Sequence, residues 1–232
     1  MNSTSVPEHA PRSLPISHAT PTVFVVDDDV SVRESLELLI ACTGWQAETF
    51  ASAQEFLAHQ RPVAPSCLVL DVSLPDLNGL ELQERIADNR EEMPIIFITG
   101  HSDVPMTVRA MKAGALEFLT KPLGDDLLLS AIREALEHSR IALDQEAELR
   151  VLRDHYASLS RREREVMAWV VSGLSNKQVG GELGISEITV KAHRGKMMRK
   201  MGADSLVDLV NMAARMRIAV PKGRHHGSSL PA

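Results

Sequence analysis

Thr22-Val-Phe-Val-Val-Asp-Asp-Asp29 begins with five strand-forming residues and breaks without a spacer into three carboxylates. A short, uninterrupted apolar run suits a strand covered on both faces, as in a parallel sheet. The pattern recurs outward from it. Cys67-Leu-Val-Leu-Asp71 is again apolar and again ends in a carboxylate, and Ile95-Ile-Phe-Ile-Thr99 ends in a hydroxyl. Residues 46–50 and Glu117-Phe-Leu-Thr120 complete the set, the latter followed by Lys121-Pro122. Helical signals fill the intervals. Val32, Leu36, Leu39 and Ile40 keep helical spacing up to Gly44, and Ser52-x-x-Glu55 is a capping box. The turn sequence Pro75-Asp-Leu-Asn-Gly79 precedes a helix expected over 79–89, and another is expected over 103–113, stopped by Gly114. Five short β/α units predict an α/β fold, a five-stranded parallel sheet with helices on both faces, for which a common doubly wound order is 2-1-3-4-5.

Charge divides the 232 residues unevenly. Residues 22–140 hold nine basic and twenty acidic side chains, net −11, whereas 158–232 hold thirteen and six, net +7. The overall −6 therefore describes neither part, and the asymmetry predicts an acidic module joined to one that meets a polyanion. With 44% hydrophobic and 24% charged residues the chain reads as globular. No apolar run approaches the ~18 residues of a membrane span. Residues 1–21 hold four prolines among Ser, Thr and His and lack the pattern of a signal peptide, so a disordered tail and a cytoplasmic protein are expected. Cys42 and Cys67 share no metal-ligand spacing and are expected to be buried thiols.

The strand ends carry the chemistry. In the order 2-1-3-4-5, strands 1 and 3 are neighbours and ligands bind at their carboxyl ends. That topology brings Asp27, Asp28, Asp71, Thr99 and Lys121 to one rim. Clustered carboxylates repel unless a cation sits among them, and a hard, oxygen-liganded ion such as Mg²⁺ suits them. Lys121 and Thr99 can contact a phosphoryl group, and a carboxylate can itself accept one. For Asp29 alone the plainer reading, a cap on the first helix, is preferred.

From residue 125 to about 155 neither Gly nor Pro occurs. Residues 139–157 read as a helical linker, with a flexible tether as the open alternative. Beyond 158 the pattern is all-α. Ser160-x-x-Glu163 and Ser175-x-x-Gln178 are capping boxes, and Ser186 and Ser205 open two further helices. The second helix of this segment, the Gly184-Ile185 turn and the helix from 186 form a helix–turn–helix pattern, whose second helix enters the major groove. Lys191, Arg194, Lys196, Arg199 and Lys200 crowd that second helix.

Residues 22–138 resemble the receiver domain of two-component response regulators, a flavodoxin-like fold. The motifs are Val25-Val-Asp-Asp28, Asp71 with Leu74-Pro-Asp-Leu-Asn-Gly79, Ile98-Thr-Gly100 and Thr120-Lys-Pro122; Thr99-Gly-His-Ser-Asp-Val-Pro-Met106 is FixJ-like. Residues 158–217 resemble the LuxR/NarL-type DNA-binding domain. They match it through Leu159-Ser-Arg-Arg-Glu-Arg-Glu-Val166, Gly173-Leu-Ser-Asn-Lys177, Leu183-Gly-Ile-Ser186 and Thr189-Val-Lys-Ala-His193. Residues 218–232 form a C-terminal tail.

The resemblance implies that a sensor histidine kinase phosphorylates Asp71. Mg²⁺ or Mn²⁺ would be held by Asp27, Asp28, Asp71 and the backbone carbonyl of Ser73. Lys121 would pair with the phosphoryl group, and Thr99 would turn toward it, letting Phe118 repack. In the DNA-binding domain, Lys191, Ala192 and Gly195 would face bases, with Lys177, Thr189, Arg194 and Arg199 nearer phosphates. Gly180 and Gly181 depart from the family pattern by standing where helix formers are usual, each costing up to ~1 kcal/mol.

The implied function is a phosphorylation-dependent transcription regulator, not an enzyme. It would dimerise on phosphorylation through residues 106–119, bind promoter DNA as paired half-sites, and meet RNA polymerase if it activates. The alternatives are a regulator that uses its receiver only to dimerise, and a phosphohydrolase. The latter wants an acid two residues after the nucleophile, where this chain has Ser73.

Overall fold

The computed structural model describes residues 20–87, 92–100, 104–219 and 221. The chain divides into two compact units, 1–145 and 146–232.

The first unit contains β1 (Thr22–Val26), α1 (Val30–Ala41), β2 (Gln46–Phe50), α2 (Ala53–Ala58), β3 (Ser66–Asp71), α3 (Gly79–Arg85), β4 (Ile95–Thr99), α4 (Val104–Lys112) and β5 (Glu117–Thr120), and then the start of α5 (Asp125–Ala157). The strands are parallel in the order β2-β1-β3-β4-β5. Alternate strand residues face opposite sides. Phe24, Leu68, Leu70 and Phe97 pack with Phe56 of α2, Leu82 of α3 and Ala110 of α4. Val23, Val25, Val69, Ile96 and Ile98 pack with Leu36 and Ile40 of α1 and with Leu128 and Ile132 of α5. Both faces are covered, which is why these strands read as continuous apolar runs. The register Val26↔Leu70, Asp71↔Ile98 and Thr99↔Thr120 aligns the carboxyl ends of four strands on one rim.

Two local expectations change, and others lie outside the described residues. Helix α3 ends at Arg85 because Ile86 leaves helical geometry (φ −100°, ψ 17°) and buries itself in the core. Cys42 is exposed, as the C-cap of α1 beyond its last buried turn, while Cys67 is buried and burial pushes its thiol pKa up. The expected tails at 1–21 and 218–232, the end of the 79–89 helix and the start of the 103–113 helix fall largely outside the described residues.

Residues 139–157 lie within α5, and the division between the units falls inside this stretch. On the first unit's side, Ser139 is buried; its hydroxyl accepts from the Ser66 amide at 2.9 Å and donates to the Glu92 carbonyl. On the second unit's side, Leu152 is buried and Tyr156 packs on the helical core.

The second unit continues with α6 (Arg161–Val171), α7 (Asn176–Leu183), α8 (Glu187–Met201) and α9 (Leu206–Arg215). Each opens on a serine, Ser160, Ser175, Ser186 or Ser205, whose side chain accepts from an amide three residues on. Ser160–Glu163 and Ser175–Gln178 are complete capping boxes. Val166, Met167, Val170, Val179, Val190, Met197, Met201 and Leu209 form the core. Only part of the apolar pattern of α9 is buried: Leu209 and Ala213 face inward, whereas Leu206 and Val210 are exposed.

Candidate functional site

The rim of the first unit gathers the acidic residues. Asp27, directly after β1, has no exposed surface, and Asp71, the last residue of β3, is nearly as buried. Lys121, directly after β5, donates Nζ to Asp27 Oδ2 and to Asp71 Oδ2, both at 2.7 Å. The remaining carboxylate oxygens are held by the chain itself. Asp27 Oδ1 accepts from the Asp29 amide and Asp71 Oδ1 from the Ser73 amide, each at 2.9 Å. Burial pushes the Asp27 carboxyl above its ordinary pKa, against the pull of Lys121 and the Asp29 amide. Burial also works against the charge on Lys121, but its two carboxylate partners prevail and raise its pKa.

Carboxylate oxygens of Asp27, Asp28 and Asp71 lie within 4.8 Å of one another. An all-oxygen set with one exposed member, Asp28, fits a hard cation that keeps part of its water shell. Asp29 caps α1, accepting from the amides of Ser31 at 2.8 Å and Val32 at 3.4 Å, as its plainer reading requires. Thr99, fully buried, ends β4. Phe118 is half-buried beside Phe97, ring centroids 6.0 Å apart, in the cluster that also takes Met106.

Three supporting residues carry little sequence signal of their role. Arg33 Nη1 donates to the carbonyls of Asp27 and Asp28, at 2.6 and 3.0 Å, and so holds the acidic loop. Asp76 accepts from the amides of Ala53 and Gln54, tying the loop after β3 to the start of α2. Gly79 brings α3 against the phosphoacceptor candidate: a Cβ there would lie 2.5 Å from the Asp71 carbonyl oxygen. Its motif reads as a turn, but the close approach is visible only in three dimensions.

The second candidate surface is α8. Val190, Met197 and Met201 are buried, and the opposite side exposes Ile188, Lys191, Ala192, Gly195, Lys196 and Arg199. Lys177, at the start of α7, is exposed as well. Thr189 is half-buried, its hydroxyl 2.8 Å from that of Ser186. Arg194 donates to Asn176 Oδ1 at 3.0 Å, which joins α8 to α7. Lys200 belongs to the scaffold: its Nζ lies 2.6 Å from Glu163 Oε2 and 3.1 Å from the Ser158 carbonyl. Lys200 and the Ser160 amide hold the buried Glu163 carboxyl down to about pKa 2. Gly180 has a steric reason, since a Cβ would meet the Ile185 carbonyl at 2.7 Å; Gly181 faces open space.

A doubly wound sheet with three carboxylates and a lysine on its rim, followed by a helix–turn–helix unit with a basic outer face, is the architecture of a DNA-binding response regulator. Residues 23–133 match the response regulator receiver domain, and 157–213 match the bacterial regulatory proteins of the luxR family. Nodulation protein W of Bradyrhizobium diazoefficiens is 49% identical over 197 residues, 85% of this chain and 87% of that protein. Transcriptional regulatory protein FixJ of Rhizobium meliloti is 43% identical over 192 residues, 83% of this chain and 94% of that protein. The structure of the response regulator StyR superposes with a TM-score of 0.75 at 47% identity, covering 85% of this chain and 100% of that one. The chain belongs to the FixJ-like response regulators, transcription regulators of two-component systems that join a receiver domain to a LuxR-type DNA-binding domain. Among the described residues no helix is long and apolar enough to cross a membrane.

Proposed function

We propose that Asp71 accepts a phosphoryl group from a sensor histidine kinase, and that this controls binding of promoter DNA in the cytoplasm. The observation that carries the reading is the contact of one lysine, Lys121, with both buried carboxylates at 2.7 Å on the rim where the strands end. Asp27, Asp28 and Asp71, with the Ser73 carbonyl, would hold Mg²⁺ or Mn²⁺. The ion supplies positive charge that offsets the charge carried by the transferred group. The chain supplies the rest. Asp71 Oδ2 attacks phosphorus in line with the departing kinase histidine. Lys121, released from part of its carboxylate contact, pairs with the phosphoryl oxygens. Thr99 donates its hydroxyl to the same group, and Phe118 repacks against the space it leaves.

The domains are read as a receiver over 22–138, a connecting helix over 139–157 and a DNA-binding domain over 158–217. The repacking would favour a dimer through residues 106–119, where α4 also exposes Val108 and Met111. A dimer would set two copies of α8 on paired half-sites, with Lys191, Ala192 and Gly195 toward bases and Lys177, Thr189, Arg194 and Arg199 toward phosphates. RNA polymerase would be a further partner if the protein activates.

The test is transfer of radiolabelled phosphoryl from a phosphohistidine kinase in the presence of Mg²⁺. The expected result is a labelled wild type and an unlabelled Asp71→Asn variant. Undiminished labelling of that variant would overturn the assignment. DNA affinity that is unchanged in Asp71→Ala under phosphorylating conditions would instead mean that the receiver serves only to dimerise.

A further inference from the structure

Ile188 is 82% exposed, the most exposed of the large apolar side chains among the described residues. A lone apolar residue at a surface needs no explanation; the place of this one does. It lies two residues after the Ser186 cap, in the first turn of α8. In a helix–turn–helix the early residues of the second helix meet base edges. At 100° per residue, Ile188, Ala192, Gly195 and Arg199 form one ridge opposite the buried Val190, Met197 and Met201. Ala192 is exposed beside Ile188, and a Cβ at Gly195 would touch nothing, so nothing on this ridge overshadows the isoleucine. Lys191 and Lys196 flank the ridge, and Arg199 closes its far end. The result is a narrow apolar strip with cations along its sides and far end and Glu187 beside its start.

A duplex offers a matching surface. Its phosphates suit the cations, and the one apolar group on its major-groove base edges is the thymine 5-methyl. We propose that Ile188 is a specificity-determining residue that packs on the 5-methyl group of a thymine in each half-site. The small Ala192 and Gly195 behind it let the helix come close enough for that contact. This rests on the reading of α8 as the DNA-facing helix and adds to it the base that the helix selects.

The experiment uses the full chain treated with acetyl phosphate and Mg²⁺. A preferred site is selected from random duplexes, and its affinity is measured by fluorescence anisotropy. Each thymine is then replaced singly by deoxyuridine, which removes the methyl and leaves the pairing edge intact. One replacement per half-site is expected to weaken wild-type binding about four-fold, the worth of one buried methyl-sized group. The same replacement is expected to have no effect on Ile188→Ala, whose salt dependence should match wild type. Thermal melting checks that this exposed substitution leaves the fold intact. Indifference of the wild type to every deoxyuridine, or an equal loss in Ile188→Ala, overturns the proposal while leaving α8 as the DNA-binding helix. Failure to bind any duplex would remove the DNA-facing reading itself.

Discussion

The two units handle charge in opposite ways. In the first, the two carboxylates at the centre of the proposed chemistry are buried: Asp27 and Asp71 sit under the rim with Lys121 bonded to both. In the second, the buried carboxylate Glu163, held by the exposed Lys200, serves the scaffold, and Lys191 and Arg199, proposed to work, are exposed along α8. Phosphoryl transfer needs a site where charge is desolvated and positioned. Reading a polyanion needs charge that reaches it, with binding driven by release of counterions. Net charge alone, −11 against +7, does not reveal that the working groups differ in burial.

The largest effect is expected at Lys121. Lys121→Met leaves two buried carboxylates facing each other and should destabilise the first unit by about 3 kcal/mol at neutral pH. Urea unfolding followed by Trp45, with Trp169 replaced by Phe, reports on that unit; a neutral result would break the contrast on the receiver side.

Glu163 tests the other side. Its folded pKa of about 2 lies below its ordinary 4.5, so its contribution is complete above pH 4.5 and is lost as pH falls toward 2. Glu163→Gln should abolish this acid dependence and lower stability at pH 7 by about 2 kcal/mol, read from Trp169 with Trp45 replaced.

Adjacent residues on α8 sharpen the division between scaffold and surface. Arg199→Ala should weaken DNA binding about ten-fold and reduce the log–log salt slope by about 1. Lys200→Ala should lower stability and leave that slope unchanged. The smallest effects come from neighbouring glycines. Gly181→Ala should stabilise the second unit by about 0.5–1 kcal/mol, while Gly180→Ala should destabilise it by about 1 kcal/mol because its Cβ meets a backbone carbonyl. Equal effects would mean that the turn after α7 relaxes.

The receiver site was legible because topology converts distant strand ends into neighbours. Once five buried strands in the order 2-1-3-4-5 are read, Asp27, Asp71, Thr99 and Lys121 must share a rim. What stayed hidden there was how the rim is held, since Arg33, Asp76 and Gly79 act through backbone atoms of other segments. The helix proposed to face DNA was legible as an element but not residue by residue. Lys200 looks like its basic neighbours until Glu163, 37 positions away, is placed beside it.

The sequence by itself determined the five strands, the serine caps and, with the common doubly wound order, the candidate acidic cluster, because these follow from local pattern and from the few ways parallel units can connect. Tertiary structure alone decided which charges are partnered, why Gly180 is a glycine, where α3 stops, and that Ile188 stands free of the core. Those depend on the phase of each helix against its neighbours and on contacts between residues far apart in the chain, which no local pattern encodes.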